Sequence, residues 1–395
     1  MKHSICVVTG TRAEYGLLRP LIAKLNDDGN IDLRLVVTGS HLNAAFGNTR
    51  SEIESDGFRI DGTIPIPLDE DSKTGMIKAT GQAMSLFADY LSANRPELLV
   101  VLGDRFEIFA VATAAAMLGI PIAHIHGGET TEGAVDEFFR HSITKMSYLH
   151  FTACEEYRRR VIQLGEAPER VFNVGSLGIE NIKKTLLLPL RELQKSLGFE
   201  LINKRFAIVT YHPVTLESST SEQQLYELIH AMDAFPEMNY IITKANADAG
   251  GRIINQIWDT EAQIHDNWFV AASLGSQRYL SALKYAAMML GNSSSGIIEA
   301  PAMHVPTVNI GDRQKGRVMA ESIICCEPNA VAITLAMKKV QSQEHMAITG
   351  VAACPFGDGE TSGTIVSIMI RSLEHGVNLK KEFFDLSFLY ERSSI

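Results

Sequence analysis

The sequence predicts an α/β chain built as two doubly wound domains with parallel sheets, and three observations predict it. Short, nearly continuous apolar runs alternate with amphipathic stretches from end to end, as strands buried on both faces and joined by helical crossovers should. The pattern breaks off and starts again. The 395 residues exceed what one ordinary core organises.

In the first half, Ser4–Thr9, Asp32–Val37, Leu98–Leu102, Ile120–Ile125 and Tyr148–Thr152 read as strands. They are too short for helices and lack the 3.6-residue period. Between them, Leu17–Leu25, Met76–Asn94, Glu107–Leu118, Glu137–Lys145 and Glu155–Leu164 carry that period and read as helices. In the second half, strands are expected at Phe206–Thr210, Asn239–Thr243, Trp268–Val270, Ala287–Leu290 and Thr307–Ile310, and helices at Ser221–Ala234, Ala249–Ile264 and Gln277–Ala286. The boundary falls within Asn173–Lys195, where NVGSLGIENI gives way to a Leu/Lys-rich stretch. The expected division is 1–180, 181–365 and a helical segment 366–395; chain order suggests that the helix beginning near Thr361 crosses back to the first domain.

A net charge of −10 and a pI near 5.7 argue against nucleic-acid binding, which calls for a basic face. A local Arg/His cluster can still hold a small anion. Cys6, Cys154, Cys325, Cys326 and Cys354 form no CxxC or Cys/His pattern, so free buried thiols in a reducing cytosol are expected and no metal site is. The N-terminal apolar stretch is only Ile5–Val8, too short for a signal peptide. No apolar run reaches the roughly 18 residues of a membrane span. A cytoplasmic protein without membrane partners is expected.

In open α/β sheets ligands bind beyond the carboxyl ends of strands, and the segments there are polar and specific. Gly10-Thr11-Arg12-Ala13-Glu14 after the first strand is neither GxGxxG nor a Walker A loop. It is either an anion-binding turn with Arg12 as a planar donor fork or a plain turn with a surface Arg. Gly103-Asp104-Arg105 offers a cleft-facing acid and base, or an Asp helix cap. His126-Gly127-Gly128-Glu129, followed by Asp136 and by Arg140-His141, is the densest titratable cluster and suits proton transfer. Its spacing matches no zinc helix.

In the second half, His212 and Lys244-Ala245-Asn246 follow strands. Gly291-Asn292-Ser293-Ser294-Ser295-Gly296-Ile297-Ile298-Glu299 reads as strand end, Ser-rich turn and helix. Its hydroxyls and N–H groups can cradle a pyrophosphate, with Glu299 accepting from ribose hydroxyls; the other reading is a Ser-capped helix with an incidental Glu. Arg313 follows a further strand. Donor groups thus come from both halves, whereas the acids cluster in the first.

Together VTGTRAEYG, LGDRFE, HIHGGE, DEFFRHSITKMS, NVGSLG, YHPVT, GNSSSGIIE and NIGDRQKGR resemble the hydrolysing UDP-N-acetylglucosamine 2-epimerases of sialic acid synthesis, the bacterial NeuC type. The resemblance implies two Rossmann-like domains in a glycosyltransferase-B arrangement with an interdomain active-site cleft, a UDP-sugar substrate, no cofactor, and a homodimer or homotetramer. It places Tyr279, Asn246 and Leu274 by the uracil and Glu299 on the ribose. Arg12, His212, Ser293, Ser294 and Arg313 fall on the diphosphate, and Asp104, Arg105, Glu129, Asp136 and Arg140 surround the sugar. The implied reaction is anti elimination of UDP to 2-acetamidoglucal, then hydration to N-acetylmannosamine. Glu129 and Asp136 are the favoured acid/base groups, with Asp104 acting or orienting beside them. His126 is a further candidate base, because it stands where many relatives carry an acid. The same chemistry on UDP-N,N′-diacetylbacillosamine, or sugar transfer on the same architecture, are the alternatives.

Overall fold

The computed structural model describes residues 2–44, 47–68, 70, 72–130, 135–213, 221–245 and 250–387. The first sheet comprises β1 (His3–Thr9), β2 (Ile31–Thr38), β3 (Gly62–Ile64), β4 (Leu98–Leu102), β5 (Ile122–Ile125), β6 (Leu149–Thr152) and β7 (Val171–Asn173). It is parallel throughout, in the order β3-β2-β1-β4-β5-β6-β7. The second comprises β8 (Phe206–Thr210), β9 (Asn239–Thr243), β10 (Trp268–Ala271), β11 (Met288–Gly291), β12 (Thr307–Ile310) and β13 (Ile323–Cys326). It too is parallel, in the order β10-β9-β8-β11-β12-β13. Each sheet is wound in both directions from its first strand, so each has one switch point, β1/β4 and β8/β11, where crevices open.

Helices of the first unit are α1 (Arg12–Asp27), α2 (Arg50–Ser55), α3 (Lys73–Ala93), α4 (Phe106–Met117), α5 (Asp136–Met146), α6 (Glu155–Gln163) and α7 (Leu177–Lys184). Then come α8 (Leu190–Leu197), α9 (Ser221–Asp233), α10 (Gly251–Glu261), α11 (Gly275–Tyr285), α12 (Glu299–Ala302), α13 (Ala330–Val340), α14 (Gln343–Val351) and α15 (Thr361–His375).

The strands are apolar on both faces because both faces are covered. Ile5 and Val7 of β1 join a core with Leu98, Val100 and helix α1. Cys6 and Val8 join another with Leu99, Val101 and helices α3 and α4. This period-2 division holds two helical layers on one sheet, at about 1.5–3 kcal/mol for each large aliphatic side chain fully buried. The second sheet divides likewise, with Val209, Tyr240 and Leu290 on one face and Ile208, Ile241 and Met289 on the other.

Helix α15 returns to the first unit. Its Ile365, Val366, Ile368 and Met369 lie in the core of β1 and α1. It begins at Thr361, inside the stretch expected to belong to the second domain, and Glu180 of α7 holds that start. The Glu180 carboxylate accepts from Ser362 N (2.6 Å) and Ser362 Oγ (2.5 Å). Beyond the helix, a strap follows the first unit's surface. Lys381 Nζ reaches Lys145 O (2.8 Å), Ser147 O (2.7 Å) and the buried Glu166 (2.9 Å), and Phe384 N donates to Gly165 O (3.0 Å). The two units also share an apolar seam, in which Tyr157 and Ile179 meet Ile297, Ile298 and Phe356.

The thiols are free, but Cys325 is exposed and Cys326 and Cys354 are half-buried, against the expectation of buried thiols throughout. Among the described residues no helix is long and apolar enough to cross a membrane.

Candidate active site

The two switch points face one another across a cleft of about 620 Å³. Of the site residues expected from the sequence, Arg12, His212, Leu274, Tyr279, Ser293, Ser294, Glu299 and Arg313 all line it. Asn246 lies outside the described residues. Asp104, Arg105, His126, Glu129, Asp136 and Arg140 are not part of that lining. They sit beyond the ends of β4 and β5 and at the start of α5.

The second-domain wall is organised by Asn292, just past β11. Its buried amide accepts from His212 N (2.7 Å) and donates to His212 O (2.8 Å), tying the loop after β8 to the loop after β11. Its carbonyl accepts from Arg313 Nη1 (3.1 Å) and Gln314 Nε2 (2.8 Å). One residue therefore registers three cleft-lining loops. The sequence reading gave it no role, although an Asn at a strand end beside a switch point is the available signal. Gly291, with φ of 129°, makes this junction possible, since a Cβ there would lie 2.1 Å from Thr210 O.

Beyond it, Ser293 Oγ accepts from Ser295 N (3.3 Å), and Tyr279 Oη donates to Ser295 Oγ (2.6 Å). Burial raises the Tyr279 phenol above its ordinary value, with the Glu299 carboxylate adding to the effect. Glu299 is half-buried in the cleft wall. Burial pushes its carboxyl up to about 7, against hydrogen bonds from its own N–H and from Ser295. Gly178 of α7 leaves room for it: a Cβ there would stand 3.0 Å from Glu299 Oε1.

On the first-domain wall, Thr11 caps α1 by accepting from Glu14 N (3.2 Å), and Glu14 reaches back to Gly10 N (2.7 Å). This is close to a capping box, so part of the turn is satisfied internally while Arg12 faces the cleft. Burial lowers the Arg12 guanidinium, opposed by the Glu52 charge. Beneath the turn lies an acid pair that the sequence reading passed over. Burial, then the neighbouring Glu107, holds Glu14 well above the ordinary carboxyl range. Arg105 Nε donates to Glu107 Oε1 (2.9 Å).

Asp104 is not a helix cap. The α4 cap position is Arg105, and it makes no side-chain capping bond. The Asp104 carboxylate instead pairs with Arg140 of α5. Burial, reinforced by the Arg317 cation, pulls the Arg140 guanidinium well below its ordinary value. His124, under the β4 loop, donates from Nε2 to Gly103 O (2.8 Å) and lies 3.2 Å from Thr144 Oγ1 through Nδ1. Burial holds it at about 3, neutral, so Nδ1 is an acceptor.

His126 sits in the left-handed region, with φ of 68°, an uncommon state for a non-glycine residue and one found at functional sites. Burial lowers its imidazole, opposed by Glu129. His126 Nδ1 lies 3.2 Å from Glu129 Oε1, and Glu129 Oε2 lies 3.1 Å from Arg317 Nη1. Arg317 belongs to the second domain, and the sequence reading quoted it only within NIGDRQKGR. Asp136 opens α5 and is half-buried. No group of three His, Cys, Asp or Glu side chains suited to a metal occurs among the described residues.

Comparison with known proteins bears on this cleft. The profile of the family described as UDP-N-acetylglucosamine 2-epimerase matches residues 23–370. The chain is 40% identical over 392 residues to the GDP/UDP-N,N′-diacetylbacillosamine 2-epimerase (hydrolyzing) of Campylobacter jejuni, covering 98% of this chain and 100% of that one. It is also 40% identical over 383 residues to the polysialic acid biosynthesis protein P7 of Escherichia coli, covering 97% of each. The structure of the Neisseria meningitidis UDP-GlcNAc 2-epimerase bound to UDP-GlcNAc superposes with a TM-score of 0.80 at 18% identity, covering 93% of this chain and 100% of that one. That likeness carries the two-domain, glycosyltransferase-B type fold.

Proposed function

The chain belongs to the UDP-N-acetylglucosamine 2-epimerase family, and from that premise we propose that it is a hydrolysing 2-epimerase converting UDP-N-acetylglucosamine to N-acetylmannosamine and UDP. The observation that carries the proposal is the division of labour between the two domains. Neutral donors and Arg313 on the second-domain wall suit a diphosphate, with Glu299 beside them for a ribose. The acids Asp104, Glu129 and Asp136 belong to the first domain.

In the first step a base takes the proton from sugar carbon 2. The C–H electron pair forms the carbon 1–carbon 2 double bond, and the carbon 1–oxygen bond breaks with its electrons leaving on UDP. Arg12, Arg313, His212 and the Ser293–Ser294 turn would stabilise the leaving diphosphate, the largest charge developed in that step. In the second step water gives its hydroxyl to carbon 1 and a proton reaches carbon 2 on the opposite face. Glu129 and Asp136 are the favoured pair for these transfers. Asp104, fixed by Arg140, is a third group that transfers or orients, and His126 is an alternative base. Arg105 and Arg140 would stand near the sugar, with Tyr279, Leu274 and Asn246 near the uracil.

UDP-N,N′-diacetylbacillosamine is the second reading, supported by the name of the Campylobacter jejuni relative. Both sugars carry the acetamido group at carbon 2, so the same chemistry serves either. The test is incubation with each UDP-sugar and no acceptor. Equal amounts of UDP and free 2-epimerised sugar are expected. A requirement for an acceptor would point to transfer, and an epimerised sugar still attached to UDP would rule out the hydrolytic step.

A further inference from the structure

We propose that Arg317 is a positioning residue that makes the acid/base chemistry conditional on domain docking, by reaching out of the second domain to hold Glu129 of the first. The inference rests on the function proposed above.

The pair is almost wholly buried, with side-chain exposures of 4% for Glu129 and 8% for Arg317. A carboxyl taken out of water without a countercharge favours its neutral form, and a neutral carboxyl cannot act as a base. Arg317 supplies the countercharge through Nη1, 3.1 Å from Glu129 Oε2. The other oxygen, Oε1, is buried and has no hydrogen-bond partner; His126 Nδ1 is near at 3.2 Å but poorly aligned. One carboxylate oxygen is therefore anchored and the other is left with an unused acceptor.

The groups around Glu129 come from several elements. His126 lies on its own loop, and burial pulls it toward neutrality. Tyr157 and Cys154 belong to α6 and its cap, and Glu299 comes across from the second domain. None of these brings a lasting positive charge, and the nearby guanidiniums are engaged by other partners, Arg140 with Asp104 and Arg160 with Glu156 and Gly316 O.

Arg317 reaches this place by docking of its own segment. Its Nε donates to Thr130 O (3.1 Å), Arg160 Nη2 donates to Gly316 O (3.0 Å), and Val318 N donates to Tyr157 Oη (3.0 Å). The same loop carries Arg313 into the cleft and is pinned by Gln314 on Asn292. An anion held at Arg313 steadies the loop that presents Arg317, so occupation of the diphosphate region and readiness of the acid are linked through the three intervening residues Gln314, Lys315 and Gly316.

The test uses the full-length protein with R317M, R317K, E129Q and the double variant. R317M is expected to lower kcat by about 10²-fold, the usual scale for acid/base catalysis, with UDP affinity changed less than about threefold. R317K keeps the charge and should recover roughly tenfold of that loss. The double variant should be no slower than E129Q, because Arg317 acts through Glu129. The acidic limb of the kcat profile should move to higher pH in R317M. The inference is overturned by a kcat within about threefold of the parent, by an equal penalty in the E129Q background, or by a loss of UDP affinity matching the loss of kcat. Should the parent release no sugar from any UDP-2-acetamido sugar, the proposed function fails on its own. Solution scattering then decides this one: UDP should shrink the parent's radius of gyration, and an unchanged radius would overturn it.

Discussion

With Glu299 on the ribose, as proposed, its ionisation would set a pH at which the cleft changes its affinity for nucleotide. Its carboxyl titrates near 7 rather than at its ordinary 4.5, and only the ionised form accepts from both ribose hydroxyls. Affinity for a non-hydrolysable UDP-sugar phosphonate should therefore rise between about pH 6 and 8, by at most tenfold per unit, and E299Q should abolish the dependence. Calorimetry across that range checks it, and an equal slope in both proteins would refute it. Glu14 makes a stability argument of the same kind. Its folded-state value lies well above the ordinary 4.5, so the native state keeps a proton that the unfolded chain has released. This contribution falls as pH rises from the ordinary value, by up to about 1.4 kcal/mol per unit. E14Q lacks that slope, and its melting temperature relative to the parent should climb between about pH 5 and 8. For Asp104, D104N should reduce turnover by about 10²-fold or more while UDP still binds, as steady-state kinetics and calorimetry would report. Residues at strand ends were legible as candidates because a polar residue there must face the crevice. Glu14, Glu107 and Arg317 were not, since their importance comes from partners far away in sequence.

Elements buried on both faces announced themselves: β4, β8, β9 and β12 follow the expected bounds residue for residue. Of the four edge strands, β10 was expected one residue short, and β3, β7 and β13 were not expected. An edge strand pairs on one side only and needs no continuous apolar run, so GTI and VFN carry too little pattern. Helix α14 was hidden for another reason: it buries mainly His345 and Thr349, while Met346, Ile348 and Val351 stay exposed. Its periodicity is inverted with respect to hydrophobicity. The junction of β11 with its Ser-rich turn gives an element-scale test. G291A would place a methyl against the β8 backbone at a φ that disfavours side chains. A loss of about 3 kcal/mol is expected, with UDP affinity falling as Asn292 shifts; denaturant melts and calorimetry measure both. An unchanged melting midpoint would show that β11 can move away from β8 freely.

At the scale of the molecule, the strap after α15 closes the first domain around a buried acid. Burial opposes ionisation of Glu166, but hydrogen bonds from His150, Lys145 and Lys381 outweigh it and hold the carboxyl at about 2. A depressed carboxyl stabilises above its ordinary value of 4.5, and that contribution is lost as pH falls through 2. K381M should therefore cost about 1–3 kcal/mol at neutral pH, and the difference from the parent should shrink as the solution is acidified below about pH 4.5. Thermal melts of the two proteins over that range would show it, and a penalty independent of pH would sink the assignment. The return of α15 to the core of β1 has a consequence for biosynthesis. The ribosome delivers the first sheet early and the helix that covers part of it only after the whole second sheet. Until residues 361–375 emerge, the apolar core around Ile5, Val7 and Leu21 lacks the part of its cover that α15 supplies, through the whole translation of the second domain. The nascent first domain is thus a natural client for a chaperone that shields apolar surface.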